Sequence, residues 1–435
     1  MNRRDFLKRS LATSALALSA NSILAKENEE KLKLGKAKSI IQVWLWGGPA
    51  QLETFDPKPK AGADYSGNLT SPIATDTDGL FLCQLLPKLA KMSQDYSVIR
   101  SMSHGTNAHE TASYLVQTGR MPDKDVYPAI GAMISKFKGY EAGYTQALPP
   151  YIVLTKPQGR FSENGFLPAK FKPFATGGDP TKTPFEVEGI VARGLTAERQ
   201  RNRKDLLEDL NMYKKAMRDN PSLAESNMSV DQAYEMILGD TGKVFDTSQE
   251  DAKVKERYGK SKTGQSCLVA RRLVEAGVPY ITLNLGGWDT HKLHFEEMAK
   301  KLPELDSAVS SLIADLKDRG LLDTTIVWVG GEFGRTPKLS VNAPFSGGRG
   351  HHGDAFSCLV AGGGIKGGTV VGTTDEKANK VASRPTHPAD FIATLYNRMG
   401  IDPYSTIKNP RDEDVMLMEK IADRNLSEGI LREII

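Results

Sequence analysis

Five apolar, β-branched runs that end abruptly in glycine or polar residues constrain the fold of this 435-residue chain more than any other feature. Near-continuous apolar runs of this kind are typical of strands buried on both faces, as in parallel sheets. The runs occupy residues 39–48, 96–105, 279–289, 324–334 and 356–364. Helical patterns lie between them, at residues 107–119, 266–277 and 293–320. The last of these ends at Gly320, a residue type that commonly caps helix C-termini. The alternation predicts an α/β fold with a mainly parallel sheet.

The composition is that of a globular protein, with 39% hydrophobic and 25% charged residues, and it excludes a disordered chain or a small disulfide scaffold. Of the formal net charge of +4, the first twenty-five residues contribute +3, so the remainder is close to neutral. The general electrostatic attraction that drives nucleic-acid binding is therefore missing, and no nucleic-acid partner is expected. Three widely spaced cysteines form no Cys-x-x-Cys pair and are expected to be buried apolar side chains: Cys83, Cys267 and Cys358.

The first twenty-five residues have the three-part layout of an export signal. A basic segment, residues 2–9, precedes an apolar stretch of about fifteen residues, which is shorter than the roughly twenty needed to span a bilayer. The pair Arg3-Arg4 followed by DFLK resembles the twin-arginine signal, which is recognised by the translocase that exports folded proteins. We expect cleavage after Ala25, a periplasmic or secreted protein, and no permanent membrane anchor. An ordinary secretory signal with a chance arginine pair is the alternative.

The rest of the chain, residues 26–435, is expected to form one domain with a helical insertion at about residues 195–260. The insertion is rich in Lys, Arg, Asp and Glu and contains helical stretches. Its charge runs are interpreted as a solvated helix face rather than a binding surface. We expect it to cover or gate one side of the sheet.

Histidines and carboxylates gather at the ends of the predicted strands, where open α/β sheets bind their ligands. Asp289 and His291 follow the third run, and both are ligand types for zinc-like ions. His351 and His352 precede the fifth run; because adjacent side chains point in different directions, one of them is expected to join a given metal. With Asp289 and His291, this histidine gives three candidate ligands, which is the number of protein ligands in a catalytic metal site with an open position. The alternatives are an Asp that caps a helix beginning near His294, and loop histidines without a metal.

Charged residues also follow the fourth and first runs. Glu332 adds a carboxylate to the metal candidates, while Arg335 either clamps an anionic substrate oxygen or pairs with a structural carboxylate. Glu53 or Asp56 is a candidate for lining the site, although the neighbouring prolines also fit a plain turn.

A second group of polar residues lies where the second run passes into a helical pattern. Asn107 is a candidate N-cap, and Glu110 three residues later completes a capping-box pattern. This assignment puts His109 in the first helical turn, where anions are favoured. His104 and Thr111 flank the same segment. Helix capping explains why Asn and Glu occur at positions 107 and 110, but it does not explain the histidine at position 109.

Five motifs in order resemble the domain-of-unknown-function 1501 family. They are the twin-arginine leader, GGPAQLETFDPKP, GGWDTH, GGEFGRTP and the Gly-rich His-containing segment before LVAGGGIKGG. That family is regarded as a branch of the alkaline phosphatase and sulfatase superfamily. The resemblance covers essentially the whole mature chain and implies an α/β/α sandwich that hydrolyses phosphate or sulfate esters at metal ions.

Some catalytic elements of that superfamily are replaced here. A metal-binding Asp usually ends its first strand, whereas this chain has Trp46 or Gly47 at that point. The sulfatase nucleophile segment aligns by its ending with HETASYLVQTG, which puts His109 in place of the nucleophilic Cys and leaves Thr111 as the nearby hydroxyl. The stretch CLVAR at Cys267 has sulfatase spacing but a helical pattern, so it is rejected as a nucleophile site.

One of the two metal positions implied by the resemblance is kept. The superfamily's Asp-His-Gly resembles Glu332-Phe333-Gly334, so that one carboxylate remains and the His ligand is lost. The other metal position is matched by Asp289, His291 and either His351 or His352. The resemblance therefore implies a single divalent metal, with zinc expected.

The sequence as a whole predicts an exported, metal-dependent hydrolase of sulfate or phosphate esters, acting on an anionic ester or glycan. The expected metal ligands are Asp289, His291, Glu332 and His352, with His351 as the alternative to His352. The expected catalytic residues are His109, as nucleophile or general acid, Thr111 and Arg335. The expected substrate-binding residues are His104, Asn107 and Glu53. The alternatives are a catalytically degenerate anion- or glycan-binding protein and a partner-binding protein that uses the helical insertion.

Overall fold

The computed structural model describes residues 32–69, 71–156, 163–182, 185–187, 198, 202, 240–342 and 346–435. Internal contacts divide the chain into two units, Met1–Leu34 and Gly35–Ile435. Of the first unit, only residues 32–34 are described, and they have no helix or strand. The predicted export signal and most of the predicted helical insertion lie outside the described residues.

An eight-stranded, mainly parallel sheet forms the centre of the second unit. Its strands in chain order are β1 (Ser39–Leu45), β2 (Tyr96–Met102), β3 (Tyr151–Leu154), β4 (Phe174–Ala175), β5 (Tyr280–Leu285), β6 (Thr325–Gly330), β7 (Phe356–Ala361) and β8 (Thr369–Val371). The spatial order is β8-β2-β7-β6-β1-β5-β3-β4. All pairs are parallel except those of β7, which runs antiparallel to both β2 and β6. The five apolar runs correspond to β1, β2, β5, β6 and β7, so these strand predictions are confirmed.

Helices cover the sheet. They are α1 (His109–Thr118), α2 (Ile130–Ile134), α3 (Ala252–Tyr258), α4 (Lys262–Glu275), α5 (His294–Asp318) and α6 (Pro388–Arg398), with single turns at Ala63–Ser66 and Pro87–Ala90. Helix α5 ends just before the predicted terminator, and Gly320 has φ +68°. In the described part of the chain, no helix is both long and apolar enough to cross a membrane.

Alternate side chains of β1 enter two separate hydrophobic cores, because successive strand residues point to opposite faces. Ile41, Val43 and Leu45 pack in the core that contains α4 and α5. Ile40 and Trp44 pack in the core that contains α2 and α6. Each such buried aliphatic side chain contributes roughly 1.5–3 kcal/mol of stabilisation. The predicted α/β/α sandwich with a mainly parallel sheet is confirmed.

The strand directions bring distant parts of the chain to one edge of the sheet. Strands β1, β2, β5 and β6 are parallel, so their carboxyl ends meet there. Antiparallel β7 begins at the same edge, which adds the segment before Phe356. This is the edge where ligands bind in open α/β sheets, and the predicted site residues lie along it.

Candidate functional site

Three side chains meet at this edge: His109, Asp289 and His351. One ligand atom from each lies within 4.8 Å of the other two. His109 Nε2 is 3.4 Å from Asp289 Oδ2, and His351 Nε2 is 3.1 Å from Asp289 Oδ1. We call these three residues the ligand cluster. It contains His109, which the sequence assigned to catalysis rather than to the metal.

Each member of the ligand cluster comes from a different element. His109 begins α1, which follows β2, and Asp289 lies in the loop after β5. His351 and His352 form a short antiparallel pair with Gly334–Arg335. Adjacent strand residues face opposite sides, and His352 Nε2 accordingly lies 2.7 Å from the carbonyl oxygen of Asn379. His352, expected to be a metal ligand, is therefore outside the cluster.

The two histidine rings of the cluster are oriented in the same way. His351 Nδ1 is 2.8 Å from the carbonyl oxygen of Asn107, which only accepts, so Nδ1 carries the proton. His109 Nδ1 is 2.7 Å from Glu332 Oε1, and this hydrogen bond raises the pKa of His109. Both Nε2 atoms are then directed toward Asp289. A ring whose second nitrogen donates to a carbonyl or carboxylate is the usual arrangement of metal-bound histidine.

Asp289 is kept ionised by Arg335. Burial raises the pKa of Asp289, but the hydrogen bond and charge of Arg335 outweigh this effect and lower it to about 2. Arg335 is fully buried, and it also donates to the carbonyl oxygens of Gly47 and Gly48. Its donors face the protein interior, so the geometry favours the structural ion pair over the anion clamp.

Glu332 lies behind the cluster and is fully buried. Its Oε1 accepts hydrogen bonds from the Gly47 amide, at 2.9 Å, and from His109. Its Oε2 is also buried and has no hydrogen-bond partner among the described residues. A buried carboxylate oxygen without a partner is costly and rare, which marks this point as a place for a water molecule or a cation.

Two aromatic rings hold the imidazoles in place. Trp46 stacks on His109 with ring centroids 5.2 Å apart, and Phe333 stacks on His351 at 4.6 Å. These are the two positions where the resemblance implied metal ligands. The resemblance alone indicates two lost ligands at these positions and does not predict their packing role.

His291 lies at the outer side of the cluster. Its Nε2 is 3.1 Å from Asp289 Oδ1 and 2.9 Å from His351 Nε2. Burial lowers the pKa of His291, so the ring is neutral at neutral pH. The helix after it begins at His294 with no side-chain cap, so Asp289 is not its N-cap.

The residues predicted around His109 have other contacts. Helix α1 begins at His109 with Ala108 as its N-cap residue, so the predicted cap at Asn107 is wrong: the Asn107 side chain accepts from the Gly353 amide at 2.7 Å. His104 Nε2 lies 2.7 Å from the carbonyl oxygen of Glu332, and burial lowers the pKa of His104 to about 4. Thr111 lies two residues after His109, which places it about 200° around the helix from that ring.

Glu53, predicted to bind substrate, is buried away from the cluster. Its carboxylate accepts a 2.6 Å hydrogen bond from Arg349 Nη2 and lies 2.8 Å from His294 Nε2. All three side chains are at most 1% exposed. Neither Arg349 nor His294 is among the predicted site residues, and the one sequence signal is the charge of Arg349 within the Gly-rich GGRG segment.

Gly47 allows β1 to end against the Asp289 loop, because a Cβ there would overlap the Asp289 backbone nitrogen and lie 2.7 Å from the Trp288 carbonyl carbon. We expect Gly47→Ala to destabilise the fold by about 3 kcal/mol or more, from left-handed strain plus overpacking. Gly62→Ala is the matched control: φ is similar, +98° against +107°, but no heavy atom lies within 4 Å. Urea unfolding of Gly62→Ala should show that the free energy of unfolding falls by only about 1–2 kcal/mol. Equal losses in both variants would refute the packing argument.

Solved structures similar to this chain include a lipoteichoic acid synthase from Listeria monocytogenes, with 11% identity over 90% of this chain and 78% of that one and a TM-score of 0.39. A sulfatase from Pseudoalteromonas sp. has 14% identity over 89% of this chain and 71% of that one, with a TM-score of 0.37. A phosphonate monoester hydrolase from Silicibacter pomeroyi has 12% identity over 85% of this chain and 74% of that one, with a TM-score of 0.38. No curated protein gives a significant sequence match. The family model described as "Protein of unknown function (DUF1501)" matches residues 37–430, and the chain belongs to that family.

Proposed function

We propose that this chain is an exported hydrolase of sulfate or phosphate esters that uses one divalent metal held by His109, Asp289 and His351. The observation that carries the proposal is the shared orientation of the two imidazoles: each Nδ1 is held by an acceptor outside the cluster, and each Nε2 is directed toward Asp289. Two imidazole nitrogens and one carboxylate are a ligand set that zinc accepts in catalytic sites with an open position.

The donor set fits a metal of this kind, and the orphaned Oε2 of Glu332 supports a cation or ordered water close to it. When bound, such a metal would act as a Lewis acid on the ester oxygen and lower the pKa of a coordinated water molecule. Glu332 holds the Nδ1 proton of His109. Arg335 keeps Asp289 ionised and fixes its direction.

His291 supports a proton-transfer role at the same site. Its side chain is 30% exposed, so the ring is accessible to a substrate from solvent. Because its pKa is lowered, the neutral ring can accept a proton from an attacking water molecule. In this proposal His291 is the general base, while His109 is a metal ligand rather than a nucleophile.

Water is the proposed nucleophile. In the described part of the chain, no Ser, Thr or Cys side chain is hydrogen-bonded to the ligand cluster. Cys267 is buried inside α4, where desolvation raises its pKa to about 12, so it is not a nucleophile. The same observation supports a second candidate function, a protein that binds anionic esters or glycans on this site without turning them over.

Hydrolysis of aryl sulfate and aryl phosphate, measured with and without added zinc, separates the two candidates. We expect turnover by the wild type and a loss of at least about 100-fold in kcat/KM in Asp289→Asn, because the carboxylate ligand is removed. If sulfate, phosphate or sulfated glycans raise Tm while no probe is hydrolysed, the binding protein is the correct assignment.

Export by the twin-arginine route is also proposed, from the Arg3-Arg4 sequence alone. Replacing both residues by Lys should keep the full-length chain in the cytoplasm, because the translocase recognises the arginine pair. Cell fractionation and the mass of the recovered protein provide the measurement. Arg9→Lys is the control and should leave export and cleavage intact. Normal export of the double Lys variant would indicate an ordinary secretory signal.

A further inference from the structure

A buried chain of hydrogen bonds lies directly behind the loop that carries Asp289 and His291. Thr290 Oγ1 is 2.7 Å from His294 Nδ1, and His294 Nε2 is 2.8 Å from Glu53 Oε2. Thr290 is 4% exposed, and the other two residues are at most 1% exposed. We call these three residues the Thr290 chain. Nothing in the proposed reaction uses them.

One donor direction in the Thr290 chain follows from Glu53. Burial by itself raises the pKa of this carboxyl, but the charges of Arg349 and His294 and the hydrogen bonds of both outweigh this effect and lower it. The ionised carboxylate only accepts, so His294 Nε2 donates to it. Thr290 Oγ1 and His294 Nδ1 share the next hydrogen bond, and the Thr290 hydroxyl also lies 3.4 Å from the Trp288 carbonyl oxygen. Both contacts hold the Thr290 side chain in one orientation.

The Thr290 chain holds a short loop segment in place. Asp289, a candidate metal ligand, precedes Thr290 in this segment, and His291, the candidate base, follows it. The Thr290 side chain points inward, while the neighbouring Asp289 side chain is 41% exposed. The Thr290 carbonyl oxygen also accepts from the Arg349 amide at 3.1 Å. Arg349 therefore holds the loop twice, once through its own backbone and once through Glu53.

A Thr–His–Glu constellation also has the residue types of a hydrolase triad. Burial argues against that role here. A nucleophile must reach the ester, whereas the Thr290 hydroxyl lies inside the protein and is bonded to His294. The chain is therefore better suited to holding the loop than to attacking a substrate.

We propose that Thr290 is a positioning residue, which through His294 and Glu53 fixes Asp289 and His291 for the metal and its substrate. The inference rests on the proposed metal site. Partners that orient metal ligands from outside the coordination sphere typically change metal affinity by 10–100-fold when they are removed, and we expect an effect of roughly that size.

The test uses Thr290→Val, which keeps the side-chain shape and removes the hydroxyl, and Thr290→Ser, which restores it. Thr394→Val is the matched control, because Thr394 is equally buried and its hydroxyl donates to the Asp390 carbonyl oxygen at 2.7 Å and accepts from the Leu431 amide, far along the chain from the site. Each purified protein is titrated with Co²⁺, followed by its visible absorption, and Tm is measured beside it. Hydrogen exchange of residues 286–293 is measured in the metal-free proteins.

We expect Thr290→Val to bind Co²⁺ about 10–100-fold more weakly, Thr290→Ser to recover most of the affinity, and Thr394→Val to lose stability without losing affinity. Wild-type affinity in Thr290→Val, or an equal loss in Thr394→Val, would overturn the inference. If the wild type itself binds no Co²⁺, the proposed function fails, and the exchange data then decide the positioning role. Faster exchange of residues 286–293 in Thr290→Val alone supports it, and unchanged exchange overturns it.

Discussion

Replacing His351 by Ala should weaken zinc binding by at least about 100-fold, whereas replacing its neighbour His352 should change the affinity by no more than about 3-fold. His351 Nε2 faces Asp289, while His352 Nε2 is 2.7 Å from the Asn379 carbonyl oxygen on the opposite side of the strand. Zinc affinity, measured by competition with a chelator, gives the comparison directly.

This pair is an internally matched control. Both residues are histidines in the same two-residue strand, and both variants remove the same atoms. A general loss of folding would affect the two variants alike, and Tm measured on the same samples detects it. If the larger loss occurs in His352→Ala, the ligand cluster is assigned to the wrong histidine.

Arg349→Met should destabilise the fold by about 3–5 kcal/mol, because it removes the guanidinium partner of the buried Glu53 carboxylate. The two side chains are at most 1% exposed and joined at 2.6 Å. Met fills a similar volume without a donor. Adding Glu53→Gln to this variant should recover part of the loss, since the uncompensated charge is then removed. Urea unfolding at pH 7 measures the free energies of unfolding, and a loss below about 1 kcal/mol would contradict the buried pair.

The same pair makes stability depend on pH with a defined sign. The pKa of Glu53 is lowered below its ordinary value of 4.5 in the folded protein. The unfolded chain therefore binds a proton first, so the contribution of Glu53 is complete above about pH 4.5 and is lost as pH falls through the folded pKa. Compared with the wild type, Glu53→Gln should show a flatter decline of stability below that pH.

The sheet and its ligand-binding edge follow from local sequence patterns. The run at 39–48 is apolar on both strand faces, and β1 is indeed buried between two helical layers. Glycines and polar residues after such runs indicate where strands end, so Asp289 and Glu332 could be placed at one edge. The helix after Asn107 was predicted for the same reason, and its N-cap was misplaced by one residue because the Asn107 side chain bonds Gly353 instead.

The roles of individual residues depend on contacts between distant segments. Glu332 accepts from His109 across 223 residues, and Arg335 binds Asp289 across 46. Sequence spacing does not reveal these partners. It therefore assigned Glu332 to the metal and left Arg335 as either a substrate clamp or a structural ion pair, whereas both residues lie behind the ligand cluster. The choice of His351 over His352 likewise depends on register with Gly334–Arg335, which neither segment specifies alone.

Metal content is the most direct test of the account. Elemental analysis of the protein purified without chelator should find about one divalent metal per chain in the wild type and less than about a tenth of one in Asp289→Asn. Asn keeps the size of the side chain and its contact with Arg335 while removing the charged ligand. A folded wild type without metal, or full metal content in Asp289→Asn, would contradict a metal centre built on His109, Asp289 and His351.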